Sequence, residues 1–596
     1  MTQTLNRLSR FQRLRCFMAF VLAAFLVPGL AAAQDQADTT APEVSVPLEV
    51  TATAPVTAPN WMVAAANPLA AEAGAEMLRQ GGNAIDAMIA TQLVLGLVEP
   101  QSSGLGGGAF LVYFDAEAGK VTTIDGRETA PMAATPTLFQ TDDGERMGFF
   151  DAVIGGRSVG VPGTPMLLAD THEKWGELDW ATLFEPAIKL ADEGFAVSPR
   201  LAGLIANEGE RLKSDPVAAA YFFDDNGAPL GIGATLKNPD YARTLRILAD
   251  SGVREFYRGG IAEKIVEKVQ GYEANPGVME LSDLATYRTR EREPVCVDYR
   301  GVEVCGMGPP SSGALTVGQI LGLLSHFDLA ALGPQALESW RLIGDASRLA
   351  FADRGRYMAD IDFVPMPLEG LVDPDYLAER AQLLERGSAL DEVAPGSPEF
   401  SHASLWADDV SLELPSTSHV SIVDADGNAV SLTTTIENGF GSRLMVEGFL
   451  LNNELTDFSF ASHADGVPIA NAVAPGKRPR SSMSPTIVVR EGKPEIVVGS
   501  PGGSRIIGYV ATALIAMLDW DMDPQEAAAL PHLVNRFGTY DLEADTSAED
   551  FSMPLQGLGF EVNVRDLNSG LHIIAVSEDG LTGGADPRRE GVALGE

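Results

Sequence analysis

Residues 419–423 (His-Val-Ser-Ile-Val) and 429–435 (Ala-Val-Ser-Leu-Thr-Thr-Thr) flank Asp424-Ala-Asp-Gly-Asn428. Asp426-Gly427 between two strand-like runs is a strong hairpin signal, and a hairpin dictates which residues face each other. Counted from the turn, Thr435 falls opposite Ser418. Within a one-residue register error its hydroxyl lies beside Thr417 and can hydrogen-bond that residue's hydroxyl. A plainer reading is that Thr433, Thr434 and Thr435 merely favour a strand.

The residues before the first strand, Pro415-Ser416-Thr417-Ser418, place a threonine where self-cleavage would make it a new N-terminus. An ordinary threonine hydroxyl is a poor nucleophile. A threonine with a free α-amine, whose pKa is roughly 7.7–8.0, carries nucleophile and base in one residue. The pattern points to an N-terminal-nucleophile chemistry.

At the other end of the chain, Arg7, Arg10, Arg13 and Arg15 precede an apolar run from about Cys16 to Leu30 and then Ala31-Ala32-Ala33. Residues 1–33 therefore read as a secretory signal peptide. A lone membrane anchor is the competing reading, against which stand the short run and its interruption by Pro28-Gly29. Cys16 lies at the start of the apolar stretch and not after it, so no lipoprotein-type anchor is indicated. A protein that is periplasmic or secreted, with no anchor after signal removal, is expected. Losing four arginines takes the formal charge from −40 to −44, which argues against nucleic acid and anionic membranes as partners. Small molecules are the expected partners, and the excess carboxylate is assigned to solubility.

Residues 34–60, rich in Pro, Thr, Ala, Asp and Glu, read as a disordered leader, with globular structure from about Trp61. No later linker divides the chain, so one large layered domain is expected. Val295-Cys-Val-Asp-Tyr-Arg-Gly-Val-Glu-Val-Cys305 alternates like a hairpin around Arg300-Gly301. The turn sets Cys296 opposite Cys305 at a non-hydrogen-bonded pair, whose close approach suits a disulfide. Two reduced cysteines are the alternative.

Asn67-Pro68 opens a helical pattern ending near Gly81-Gly82, and Asn83 caps a second one through Val98 before Pro100. Further helical patterns fall at 180–192, 198–213 and 337–356, and strand patterns at 109–114, 417–435, 486–490, 495–500 and 559–576. The glycines of 102–108 precede a strand and follow a helix, the reverse of a dinucleotide-binding loop, so phosphate binding there is rejected. The seven histidines, among them His172, His326, His419 and His532, show no metal-ligand spacing. No metal and no cofactor is expected.

Ordered motifs then carry a specific likeness. They are Gly81-Gly-Asn-Ala-Ile-Asp86, Val98-Glu-Pro-Gln-Ser-Ser-Gly-Leu-Gly-Gly-Gly108, Asp125-Gly-Arg-Glu128, Ser158-Val-Gly-Val-Pro-Gly163, Pro309-Pro-Ser-Ser312, Leu451-Asn-Asn-Glu-Leu-Thr-Asp457, Arg480-Ser-Ser-Met-Ser-Pro485 and Gly499-Ser-Pro-Gly-Gly503. From Trp61 to the C-terminus the chain resembles the γ-glutamyltranspeptidases.

That resemblance implies an α/β fold, a four-layer αββα sandwich of the N-terminal-nucleophile hydrolase type. It is formed from a precursor that cuts itself between Ser416 and Thr417. A large subunit (to residue 416) and a small catalytic subunit (417–596) would stay together as a heterodimer in one intertwined domain. Thr417 would attack the γ-amide of glutathione or a related donor, form an acyl-enzyme and pass the acyl group to water or to an amino acid or peptide. Arg127, Ser481 and Ser482 map to the donor's α-carboxylate, although a structural ion pair is the plainer reading of Arg127. Asp457, Glu454 and Glu437 map to its ammonium, and Gly502 and Gly503 to the oxyanion hole. The plainer role of the two glycines is a tight turn.

Two departures stand out. Glu437 occupies a place where some members carry asparagine, and it could instead be solvated or ion-paired internally. Between Phe458 and Asn471 the segment is short and lacks a tyrosine that some members place over the pocket, which implies a more open site for larger donors. A cephalosporin or glutaryl-amide acylase is the alternative on the same scaffold, and an exported binding protein that lost catalysis is the alternative of another class. Retention of Arg127, Glu454 and Asp457 speaks against the acylase, and retention of Thr417 and the glycine pair against the binding protein.

Overall fold

The computed structural model describes residues 54–596, apart from 403, 404, 410, 412, 413 and 415. The expected signal peptide, the first part of the expected leader and Pro415 lie outside the described residues. Regular structure is already present before the expected Trp61. Val56–Ala58 is an edge strand, and Val56 pairs with Gly583.

The hairpin of 417–435 forms as expected, with Thr417–Val423 antiparallel to Ala429–Thr435. Its register differs from the expected one by a residue. Thr417, not Ser418, faces Thr435, because all five residues Asp424–Asn428 form the loop and the ladder starts at Val423/Ala429. Asp424 shapes that loop by accepting from the backbone N–H of Asp426 and Asn428 at 3.0 and 2.9 Å. Its second oxygen accepts from Ala84 N at 2.9 Å, which ties the hairpin to the N-terminus of the next-layer helix, where an anion is favoured.

The hairpin lies at the centre of a seven-stranded antiparallel sheet. Across it run Val592–Gly595, Met62–Ala65, Thr417–Val423, Ala429–Thr435, Gly108–Asp115, Lys120–Gly126 and Arg290–Arg292. A second seven-stranded antiparallel sheet runs Val56–Ala58, Gly580–Ala585, His572–Ser577, Lys493–Gly499, Thr486–Arg490, Val302–Gly306 and Val295–Tyr299. The sheets stack face to face, linked by Ser431 Oγ to Val498 O at 3.0 Å and Ser421 Oγ to His572 O at 2.9 Å. Helices Pro68–Arg79 and Ala84–Val98 cover the outer face of the first sheet, and Gly313–Leu324 and Ile506–Leu518 that of the second. The result is an αββα sandwich.

The period of two sorts the hairpin's side chains. Val420, Ile422, Val430 and Leu432 join the apolar layer under the helices, so Thr417, His419, Ser421, Thr433 and Thr435 point between the sheets. Helix Ala84–Val98 is buried on every side, as its all-round apolar sequence requires. Asn83 starts it with a reciprocal capping box to Asp86. The glycine loop after this helix binds the hairpin: a Cβ on Gly107 would lie 2.0 Å from Thr435 O, and one on Gly106 2.0 Å from Leu450 O. Those glycines are needed for close backbone passage.

Two other expectations change in detail. The 180–192 pattern is a 3-10 turn at Trp180–Phe184 followed by helix Glu185–Glu193. The 559–576 pattern divides into strands Glu561–Arg565 and His572–Ser577 in different sheets. Cys296 and Cys305 face each other across their hairpin in a disulfide with Cα atoms 4.1 Å apart. Arg300 and Gly301 at the turn have φ of 54° and 78°. Among the described residues no helix is long and apolar enough to cross a membrane.

Candidate active site

The first residue of the central strand, Thr417, is 4 % exposed and faces Thr435 across the ladder, with hydroxyl oxygens 3.3 Å apart. Thr435 Oγ donates to the Ser416 carbonyl at 2.8 Å and accepts from Glu437 N at 2.9 Å. With its one proton committed to Ser416 O, Thr435 is the acceptor and the Thr417 hydroxyl the donor. One hydroxyl thus polarises the carbonyl of the Ser416–Thr417 bond and orients the hydroxyl beside it. Ser416 Oγ donates to Gln101 O at 2.8 Å, which holds the upstream side of that bond.

Around the two threonines is a small pocket open to solvent, lined by Arg127, Leu414, Thr417, Thr435, Glu437, Glu454, Asp457, Ser481, Ser482, Met483, Gly503 and Ile506. The structure therefore brings together nine of the residues singled out in the sequence. Gly502 stands behind Gly503, just past the end of strand Lys493–Gly499, and its φ of 138° and Gly503's of 60° both favour glycine. A Cβ on Gly502 would also meet the Tyr509 ring at 2.7 Å.

Arg127 follows strand Lys120–Gly126 and is 1 % exposed. It donates to Pro479 O at 3.2 Å and Arg480 O at 2.9 Å, to Asp457 at 2.5 Å, and to Glu454. The plainer reading of Arg127, a structural ion pair, thus holds, with partners that the sequence had set aside for an ammonium. Glu128, beside it, is not Arg127's partner. Burial, opposed by Arg127, pushes the Glu128 carboxyl up to about 7.

Burial also raises Glu437 and Glu454 well above the usual carboxylate range. Asp457 adds to the effect on Glu437, while Arg127 opposes it on Glu454. Glu437 is not solvated, and among the described residues it has no ion-pair partner. It is 4 % exposed, accepts from Asn453 and from Leu414 N at 3.3 Å, and has a φ of 74°. One guanidinium among four carboxyl groups leaves this end of the cavity short of cations, while Arg127, Ser481 and Ser482 offer donors to an anion. A zwitterion complements both.

Several supporting residues were not legible in the sequence. Ser482 Oγ accepts from Arg354 Nη2 at 2.7 Å, and Arg354 Nε donates to Ser312 Oγ at 2.7 Å. Ser312 in turn donates from N and Oγ to Ser481 O at 2.8 and 2.7 Å. Arg354 is remote in sequence and carries no local signal. Asn452 and Asn453 do carry one, since they sit inside a quoted motif. Asn452 Nδ2 bridges Gly106 O and Gly160 O at 2.7 and 2.9 Å. The short segment after Phe458 forms a small hairpin, His463–Ala464 with Val467–Pro468, and none of residues 459–470 lines the cavity. The disulfide hairpin is at the far edge of the second sheet.

Comparison with known proteins adds three findings. A family model described as Gamma-glutamyltranspeptidase matches residues 70–596. The chain is similar to the glutathione hydrolase proenzymes of Bacillus subtilis (strain 168), at 38 % identity over 549 residues (90 % of this chain, 91 % of the relative), and of Escherichia coli (strain K12), at 35 % over 562 residues (92 % and 94 %). Its fold matches the crystal structure of cephalosporin acylase from Bacillus halodurans with a TM-score of 0.79 and 28 % identity, covering 91 % of this chain and 97 % of that one.

Proposed function

The chain belongs to the γ-glutamyltranspeptidase family, and from that premise we propose that it is a self-cleaving γ-glutamyltransferase and glutathione hydrolase with Thr417 as its N-terminal nucleophile. The observation that carries this reading is the Thr435 hydroxyl, joined to Thr417 Oγ and to the Ser416 carbonyl inside a cavity built for a zwitterion.

In maturation, Thr417 Oγ attacks the Ser416 carbonyl carbon while Thr435 holds its oxygen. The C–N bond breaks, the nitrogen leaves as the Thr417 α-amine, and water hydrolyses the resulting ester to a Ser416 carboxylate and the free hydroxyl. The products are a large subunit ending at 416 and a small subunit of 417–596. In turnover the α-amine takes the Thr417 hydroxyl proton, and the alkoxide attacks the γ-carbonyl of glutathione or a related γ-glutamyl amide. Backbone N–H groups at Gly502 and Gly503 stabilise the oxyanion. The proton passes to the leaving nitrogen, and the γ-glutamyl ester on Thr417 is taken by water or by the amine of an amino acid or peptide.

Arg127, Ser481 and Ser482 receive the donor's α-carboxylate, and Glu437, Glu454 and Asp457 its ammonium. Donor binding therefore exchanges Arg127's internal carboxylate partners for the substrate's. The short segment 459–470 leaves the mouth open to donors larger than glutathione. The reaction needs no cofactor, and the protein works in the periplasm or outside the cell.

The test is the denatured intact mass of the purified protein beside a Thr417→Ala variant. Two wild-type fragments meeting at Ser416/Thr417, with an uncut variant, are expected; an uncut wild type sinks the reading. A second reading, acylase action on cephalosporin-type or glutaryl amides, is favoured by the fold match to a cephalosporin acylase. Parallel kcat/KM values for γ-glutamyl and glutaryl anilides decide between them, and the buried carboxylates around Asp457 favour the donor with an ammonium.

A further inference from the structure

Cleavage would leave Thr417 as a chain end on a strand that is only half supported. Strand Met62–Ala65 pairs with the central strand from Val420 to Val423 and no further, so on that side Thr417, Ser418 and His419 have no strand neighbour. From the segment that leads into the last strand, Val592–Gly595, the Arg589 side chain reaches this end of the strand. Arg589 is 3 % exposed. Its Nη1 donates to the Thr417 carbonyl at 3.3 Å, and its Nε to Asn568 Oδ1 at 3.2 Å and Ser569 O at 2.8 Å.

The same loop reaches the glycine pair. Gly570 N donates to Ser500 Oγ at 3.3 Å, and Gly570 packs so closely on Pro501 that a Cβ would lie 2.6 Å from its ring. One guanidinium therefore connects the nucleophile's own backbone to the loop that backs Ser500-Pro501-Gly502-Gly503.

The charge matters as much as the contacts, because the mature α-nitrogen belongs to the residue whose carbonyl Arg589 holds. On Arg589's side stand Glu99, which accepts from Ser418 Oγ at 3.0 Å and pairs with Arg200 at 2.7 Å, together with Glu590. Asp586 and Arg588 lie just upstream and pair at 3.1 Å. His419 and His572 are buried and held neutral. On the cavity side stand Glu437, Glu454, Asp457, Glu128 and Arg127. Burial raises Glu99, Glu128, Glu437 and Glu454, so these groups favour a protonated amine only as far as they ionise, and Arg589 is the cation bonded to Thr417 that opposes them.

Resting on the function proposed above, we propose that Arg589 is a positioning residue: it fixes the backbone of the mature Thr417 and holds its α-amine in the neutral, proton-accepting form. An acid limb in kcat/KM against pH then reports this amine, and removing the cation moves that limb upward.

The test measures the pH dependence of carbamoylation of the Thr417 amine by cyanate, which reacts only with the neutral amine. It is read by peptide mass on the folded, cleaved protein, with kcat/KM for a γ-glutamyl anilide followed over the same pH range. For Arg589→Gln the carbamoylation midpoint and the acid limb are expected to rise together by about 0.5–1 pH unit, the size of a single charge acting through a partly shielded interior. Arg589→Lys, which keeps the charge, is expected to stay near wild type. A cleaved Arg589→Gln with the wild-type midpoint overturns the inference.

If Arg589→Gln does not yield cleaved, folded protein, Arg589→Lys decides. A cleaved protein with the wild-type midpoint supports the role; a shifted midpoint, an uncut chain or a misfolded one overturns it. A wild type without a free Thr417 amine overturns the proposed function itself, an outcome distinct from an unchanged midpoint in an active enzyme.

Discussion

Thr435 has one hydroxyl proton and three polar neighbours, Ser416 O, Thr417 Oγ and Glu437 N. Thr435→Val removes the donor from the Ser416 carbonyl, so self-cleavage is expected to slow by about 10²-fold or more, the usual loss for an oxyanion-type donor. Thr435→Ser is expected to cut at nearly the wild-type rate. A time course of fragment appearance on denaturing gels checks both, and equal rates for valine and serine would remove Thr435 from the chemistry. Asp457→Asn keeps the shape but halves the charge-assisted contact to an ammonium. A fall of about 10–100-fold in kcat/KM for γ-glutamyl donors is expected, and an unchanged value rejects the ammonium assignment.

Glu128 provides a pH test. Its folded pKa, raised by burial to about 7 from 4.5, means that the folded state binds more protons than the unfolded state between those values. Its contribution to stability is fully present below about pH 4.5 and is lost as pH rises through 7. Glu128→Gln should therefore melt about 1–3 °C above wild type at pH 7, with the gap closing near pH 4. A gap independent of pH would contradict this.

At the scale of elements, the glycine loop and the hairpin are one construction. Gly107→Ala would force a Cβ into Thr435 O, costing about 1–3 kcal/mol as overpacking does. Opening that 2.0 Å approach to at least 3.0 Å would also displace the Thr435 backbone, or the glycine loop itself, by about 1 Å. A folded but largely uncut chain is expected, and circular dichroism beside a denaturing gel shows it; normal cutting would mean that the hairpin tolerates the shift. The hairpin itself was legible because Asp-Gly and β-branched runs act locally. Its register was not, because the loop closes on the Asp424 carboxylate, which accepts from Asp426 N and Asn428 N, rather than on a two-residue Asp-Gly turn.

In the whole molecule, strands from before and after position 417 alternate. Met62–Ala65 and Gly108–Asp115 flank the two strands of the hairpin, and Thr486–Arg490 pairs with Val302–Gly306. The cut subunits therefore share both sheets and are expected to co-elute as one species on size exclusion, parting only in denaturant. Separation under native conditions would rule out the shared-sheet arrangement.

Motifs alone named the cavity's main residues, from Arg127 to Gly503, because each binds through its own type and its neighbours' backbone. The place of Thr417 in that site was legible too, since the proposed chemistry belongs to one residue and one peptide bond. Only the tertiary structure decided that Arg127 rests on Glu454 and Asp457, that Arg354 braces Ser482, and that Arg589 reaches Thr417. Those contacts join residues more than a hundred positions apart. Chain order carries no record of such neighbours, and burial, which makes their charges matter, exists only once the sheets have closed on each other.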